Sequence, residues 1–412
     1  MMIHLFRKFS AVLASALVII SALAINSGAY DAKERVKCFT EFNSEIVCIA
    51  HRGDWHSYPE NSAEAIKAAA EYGVVSVDLK VTSDGEIILM ADDTTDRMCV
   101  NASGNTVSGS VKDYSLAELK AMYLRSANGT SKNKKTEFHP ASLDDAVEAA
   151  GTDTALMLNL NCADFGKVYD KAKLLGILDR VIFRFSDKNK NIIKTVAGRD
   201  GVNCCGNYQG NIIFLATSAV KSGFDNGITT VELGSKNGHG VLYDNFLMKR
   251  FDSDGKAMVS MVGGRCGKRA DSEEGWDDLI TRGYSIIETD YPEDLHEYIG
   301  KVSDAKEELD RYVSLYADTD TAPFTADTEK AFTQALAEAE RLGSHSGSLS
   351  ELENARFNLQ SAYDNLTVGE KKAVTLSFDF TVGRAVAVIL CGGAILAAQI
   401  LLYKRRDKKS AK

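Results

Sequence analysis

From about residue 45 to 300 the chain alternates short apolar, β-branched runs with stretches of helical period. The runs are "EIVCIA" (45–50), "VVSVDLKV" (74–81), "EIILM" (86–90), "TALMLNL" (154–160), "RVIFRF" (180–185), "NIIFL" (211–215), "TTVEL" (229–233), "AMVSMV" (257–262) and "YSIIET" (284–289). Runs this uniformly apolar predict strands buried on both faces, the habit of a parallel sheet covered by helices. Between them, "SAEAIKAAAEYG" (62–73) and "SLDDAVEAAG" (142–151) open on serine and close on glycine, residues that cap the two ends of a helix. Eight or nine strands in this span predict a (β/α)8 TIM barrel, typically about 250 residues long, rather than an open doubly wound sheet. Chemistry is then expected at the C-terminal ends of the strands.

After residue 300 the strand pattern stops. "DAKEELDRYVSLYA" (304–317), "TADTEKAFTQALAEAERLG" (325–343) and "SLSELENARFNLQSAYDNL" (348–366) repeat apolar residues at helical spacing, with Thr325 and Ser348 as N-cap candidates. They predict a small three-helix bundle. The ends of the chain differ again. Arg7 and Lys8 precede an uncharged stretch from Phe9 to Tyr30, the pattern of a signal peptide over 1–29 or of an N-terminal anchor. "AVAVILCGGAILAAQILLY" (385–403) carries no charge and approaches the roughly 20 residues that span a bilayer as a helix. The basic tail after it would remain in the cytoplasm. The expected organisation is a signal peptide (1–29), a barrel (40–302), a helical module (303–367), a linker (368–384), a transmembrane helix (385–403) and a basic cytoplasmic tail (404–412). That describes a single-pass protein of the cell membrane with its main domains extracellular.

A formal net charge of −9, reached despite the basic tail, argues against nucleic acid as a partner. Of eight cysteines, Cys391 falls in the expected membrane span and seven remain, so they cannot all pair within one chain. A Cys38–Cys48 disulfide and buried thiols are both compatible with the spacing, and no zinc-type spacing occurs.

The chemistry concentrates after the first strand, in "HRGDWHSYPENS" (51–62). An imidazole and a guanidinium side by side at a strand's C-terminal end could act as acid or base and as phosphate clamp. Together with "VDLKVTSDGEIIL" (77–89), "DDTTDR" (92–97), "YLRSANG" (123–129), "HPASLDDAV" (139–147) and "GYSIIETDYPEDL" (283–295), this string resembles the glycerophosphodiester phosphodiesterase family over roughly residues 45–300. Pro59, Pro140 and Pro292 stand where that family often has proline. The helices after residue 303 resemble the FIVAR modules of Gram-positive surface proteins.

The resemblance implies a TIM barrel acting on glycerophosphodiesters in lipid metabolism, with two histidines as general acid and base and a Ca2+ or Mg2+ ion held mainly by three carboxylates. Carried over residue by residue, His51 is the first histidine, Arg52 the phosphate clamp and Asp78 a metal ligand. Ala91 stands in place of the second histidine, Ser76 in place of a glutamate, and Asn159 and Asn161 in place of a glutamate and a lysine. One carboxylate cannot supply the charge that hard cations require. Loss of a general acid or base typically removes about 10²- to 10⁴-fold in rate. These departures imply a phosphoric diester hydrolase turned pseudoenzyme; no cofactor is expected, and Ca2+ or Mg2+ only if the chain is active.

The polar replacements beside His51 and Arg52 predict a mildly positive cleft for the phosphate or polyol part of a glycerophosphodiester, a teichoic acid or a lipid headgroup. Glu60 and Asn61 would fix the loop that frames it. Two alternatives stay open at this point. One is an active, metal-dependent phosphodiesterase with relocated ligands drawn from His56, Asp92, Asp93 and Glu232; the other is a non-catalytic scaffold. Asp290 reads equally as a contact at the barrel mouth or as a partner of backbone amides.

Overall fold

The computed structural model describes residues 31–40, 45–130, 132–160, 164–186, 199, 202–209, 230–234, 257–261, 271–344 and 347–369. In chain order the helices are α1 (Ala32–Lys37), α2 (Ala63–Ala69), α3 (Leu116–Lys120), α4 (Leu143–Ala150), α5 (Phe165–Leu174), α6 (Glu273–Thr281), α7 (Pro292–Tyr316), α8 (Ala326–Ser344) and α9 (Leu349–Asp364). The strands are β1 (Val47–His51), β2 (Val74–Val81), β3 (Ile87–Leu89), β4 (Cys99–Val100), β5 (Tyr123–Leu124), β6 (Ala155–Asn159), β7 (Val181–Ser186), β8 (Asn203–Gln209), β9 (Thr230–Gly234), β10 (Ala257–Met261) and β11 (Ile286–Thr289).

Eight of these strands are parallel and run in the order β1, β11, β10, β9, β8, β7, β6, β2; pairing of β1 with β2 closes the ring. The expected TIM barrel is therefore the fold. Two details depart from the apolar runs. "EIILM" forms β3, which pairs antiparallel with β2 and extends the sheet outside the barrel. The barrel instead recruits β8, "NCCGNYQ", which is paired on both sides but carries too few apolar residues to be seen as a run. The expected strand at 211–215 lies outside the described residues.

Alternation sorts the strand residues into two populations. Val75, Val77, Leu156, Leu158, Phe183, Phe185 and Ile287 pack outward in one cluster with the surrounding helices. Val47, Ile49, Val74, Met157, Ile182 and Ile286 point into the barrel and pack with Val36 and Phe39, so α1 plugs its N-terminal end. Full burial of each such aliphatic side chain is worth about 1.5–3 kcal/mol. The Thr230 hydroxyl donates to the Phe39 carbonyl and ties the plug to β9. Helices begin where their caps predict: Ser62 accepts from the Ala65 amide, and Ser142 and Ser348 each form a reciprocal capping box.

The three expected C-terminal helices are present as α7, α8 and α9. Helix α7 begins at Pro292, directly after the last barrel strand, and passes through the anticipated junction at 302–303 without a break. Leu309, Tyr316, Phe332, Leu352 and Leu359 share one buried cluster with Trp276, Leu295 and Tyr298 on the barrel side. Asp277 of α6 binds Tyr298 and both the amide and hydroxyl of Ser350, anchoring the start of α9. The bundle is packed on the barrel.

The expected localisation needs correction. Among the described residues no helix is long and apolar enough to cross a membrane, so single-pass anchoring is not supported. Residues 1–29, 385–403 and 404–412, on which that expectation rested, lie outside the described residues. Cys38 and Cys48 are both buried thiols, and no disulfide joins them.

Candidate active site

His51 closes β1, and the chain turns sharply after it. Among the described residues, positive φ outside glycine occurs at Arg52 (62°), Asn61 (56°) and Ala127 (50°). All three belong to one hydrogen-bonded assembly: the Asn61 amide donates to the Arg52 carbonyl and the Glu60 amide to that of Ala127. Such conformations cost on the order of 1–3 kcal/mol each and persist only where their surroundings impose them. Gly53 (φ 78°) is required outright, since a Cβ there would lie 2.5 Å from the Ala65 carbonyl carbon of α2.

The His51 imidazole sits at the mouth with Nδ1 2.7 Å from Oδ1 of Asp290, the residue just after β11. Asp290 also accepts from the Trp55 indole at 3.2 Å, and its amide donates to Asp271. Burial alone would lower the His51 pKa, but the Glu288 charge and the Asp290 hydrogen bond outweigh it and the net shift is upward. A carboxylate on Nδ1 fixes the ring and stabilises its protonated form, as in a general acid or base. His56 is stacked between Trp55 and Tyr291, with ring centroids 3.9 and 4.7 Å away.

The cations of the mouth are already held. Arg52 places Nη1 3.0 and 3.1 Å from the two oxygens of Glu60 and Nε 2.8 Å from Asp78. Glu60, only 3% exposed, also receives Arg97, whose Nε contacts Asp92. Lys80 reaches Asp93 at 2.6 Å. The mildly positive cleft expected from His51 and Arg52 is therefore corrected to a charge-compensated one, because Glu60 and Asp78 converge on the Arg52 guanidinium and Asp290 on the His51 ring. Asp92 and Asp93, considered as relocated metal ligands, serve as partners of Arg97 and Lys80.

Beneath the mouth lies a buried charged layer that local motifs do not reveal. Arg184 of β7 sits between Glu232 of β9 and Glu288 of β11: Nη2 is 2.8 Å from one Glu232 oxygen, and Nη1 is 3.1 and 3.2 Å from the two Glu288 oxygens. The Ser76 hydroxyl donates to Glu288. Glu232, another relocated-ligand candidate, is thus an ion-pair partner. Arg184 and Glu288 were not singled out in the sequence. Their available signal was one charged residue at an inward position of the runs "RVIFRF" and "YSIIET".

Among the described residues the donor set around Asp78 does not fit a divalent ion. Asp78 accepts from Asn159 Nδ2 at 2.6 Å and from Asn61 Nδ2 at 3.3 Å, and it contacts Arg52. Burial would raise its pKa, but Arg52, His51 and Asn61 together hold it below the usual carboxylate range. Among the described residues no group of three or more His, Cys, Asp or Glu could hold a metal ion. Asn161 lies outside them.

Residues 51–212 match the sequence model of the Glycerophosphoryl diester phosphodiesterase family. Over 80 residues the chain is 40% identical to a glycerophosphodiester phosphodiesterase of Caldanaerobacter subterraneus, covering 19% of this chain and 30% of that protein. Over 171 residues it is 27% identical to glycerophosphodiester phosphodiesterase 1 of Mus musculus, covering 37% of this chain and 49% of that protein. The chain thus spans about half, or less, of the length of these curated relatives. A solved glycerophosphoryl diester phosphodiesterase from Parabacteroides distasonis superposes with a TM-score of 0.52 at 20% identity, over 65% of this chain and 91% of that one. A structure from Agrobacterium tumefaciens gives 0.51 at 16% identity, over 62% and 98%. At such identities the superpositions speak for the barrel fold.

Proposed function

From the premise that this chain carries a glycerophosphoryl diester phosphodiesterase family domain, we propose that its barrel mouth binds a polyol- or phosphate-containing ligand of the glycerophosphodiester kind and is impaired in cleaving it. The observation that carries this reading is the state of Asp78: its carboxylate contacts Arg52, Asn61 and Asn159, and among the described residues no second or third carboxylate joins it around a common point. Ala91 brings no proton donor where the family chemistry calls for a second imidazole. Of the two recognition modes, hydroxyl recognition is favoured, since a phosphate would have to displace Glu60 or Asp78 from Arg52. A teichoic acid or a lipid headgroup would present the same glycerol-phosphate moiety, and the α7–α9 helices serve as a FIVAR-like helical module beside the barrel.

A second reading, an active hydrolase, is favoured by one feature, the His51–Asp290 hydrogen bond that keeps a proton-transfer group in place. Against it stands the engagement of Asp92, Asp93 and Glu232 with cations. Calorimetric titration with sn-glycerol 3-phosphate, glycerophosphocholine and inorganic phosphate tests the proposal. Saturable binding of the glycerol compounds in preference to inorganic phosphate is expected. Absence of binding by all three would leave only a scaffold and overturn the ligand-binding reading.

A further inference from the structure

Ser76, Arg184, Glu232 and Glu288 come from β2, β7, β9 and β11, the second, fourth, sixth and eighth strands around the barrel. Four inward residues from alternate strands make up one layer of such a barrel, ordinarily filled by branched aliphatic side chains. Here the layer is entirely polar, and none of the four is more than 4% exposed. Two carboxylates face one guanidinium, whose Nε lies 2.6 Å from the Glu232 oxygen that Nη2 does not reach.

Two ionised carboxylates cannot share a dry interior without a cation, because desolvation and mutual repulsion both favour protonation. A hard divalent ion and a guanidinium are alternative solutions. The ion needs several oxygens gathered at about 2.3–2.6 Å around one centre. The guanidinium is permanently charged, planar and forked, and it draws carboxylates to its edges instead. The two exclude each other here, since Arg184 occupies both oxygens of each glutamate.

We propose that Arg184 is a built-in cation that serves this layer in place of a divalent ion, so the layer neither needs nor binds one. Removing the guanidinium then opens a latent divalent-cation site formed by the oxygens of Glu232, Glu288 and Ser76. This inference does not depend on whether the mouth binds a ligand.

The test is thermal melting of the chelator-treated full chain and three variants, with and without millimolar Ca2+ or Mn2+. The wild type and Arg184→Lys, which keeps a positive charge, are expected to melt at the same temperature with or without the ion. Arg184→Met is expected to melt lower and to regain about 5 °C or more when Ca2+ saturates the opened site. A Ca2+-dependent rise in the wild type would overturn the proposal, and so would a folded Arg184→Met that ignores both ions. Should Arg184→Met fail to fold in chelator, the double variant Arg184→Met with Glu232→Gln decides. Recovery of a cooperative transition in that variant would support charge neutralisation as the role of Arg184, and failure to recover would contradict it.

Discussion

At the N-terminal end of the barrel the inward positions are Ile49, Val74, Met157, Ile182 and Ile286, closed off by α1. Two residues further along the same strands, the inward positions are His51, Ser76, Asn159, Arg184 and Glu288. The backbone is continuous across this boundary and the register of neighbouring strands is unchanged. What changes is the kind of complementarity required. The lower half needs matching volume, and a neighbour of the wrong size leaves a cavity. The upper half needs a partner for every charge, because each group left alone there keeps its full desolvation penalty.

The largest expected effect comes from applying the lower half's rule to the upper half one residue at a time. Arg184→Met should cost about 3–5 kcal/mol in denaturant unfolding, since it removes the guanidinium that buried Glu232 and Glu288 share. Replacing Arg184, Glu232 and Glu288 together by apolar residues of similar volume should recover most of that loss, as buried ion triads often tolerate. If the triple variant is no more stable than the single one, the contrast between the halves is wrong.

In the lower half, Ile49→Ala should cost about 3 kcal/mol, with no salt or pH dependence, because only packing is removed. Glu60→Gln should cost about 2 kcal/mol. It weakens two guanidinium contacts at the rim, where Arg52 and Arg97 are partly exposed and water can replace some of the loss.

The smallest effect concerns protons. The raised pKa of folded His51 means that its contribution is fully present below the imidazole's unfolded pKa and is lost as pH rises through the folded one. Asp290→Asn removes one of the groups that raise it, so the titration midpoint of His51 and the pH at which this stability is lost should both move down. Proton NMR of the imidazole measures the midpoint directly; an unmoved midpoint would assign the shift to Glu288 alone.

The parts of this molecule that are legible in sequence are those whose cause is local. Apolar runs such as "VVSVDLKV" mark β2, serine caps mark α2, α4 and α9, and the string from His51 to Ser62 marks the turn at the mouth. Strand β8 was not legible, because Gly206 and its polar neighbours give no run and its place depends on pairing with β7 and β9. The charged layer was missed for the same reason. Arg184 and Glu288 are 104 residues apart, and Ser76 and Glu288 are 212 apart, so only the closed barrel brings them together. The positive cleft read from His51 and Arg52 was mistaken because Asp78 and Asp290 contribute from other segments and Glu60 folds back onto Arg52 from its own.

Under the proposed reading, a mouth arranged around internal ion pairs leaves no place for a divalent cation at Asp78. Release of choline from glycerophosphocholine by the purified chain, followed with Ca2+ and with chelator alongside His51→Ala, tests it most directly. No Ca2+-dependent release above that of His51→Ala is expected. Turnover that requires Ca2+ and disappears with His51 would contradict it.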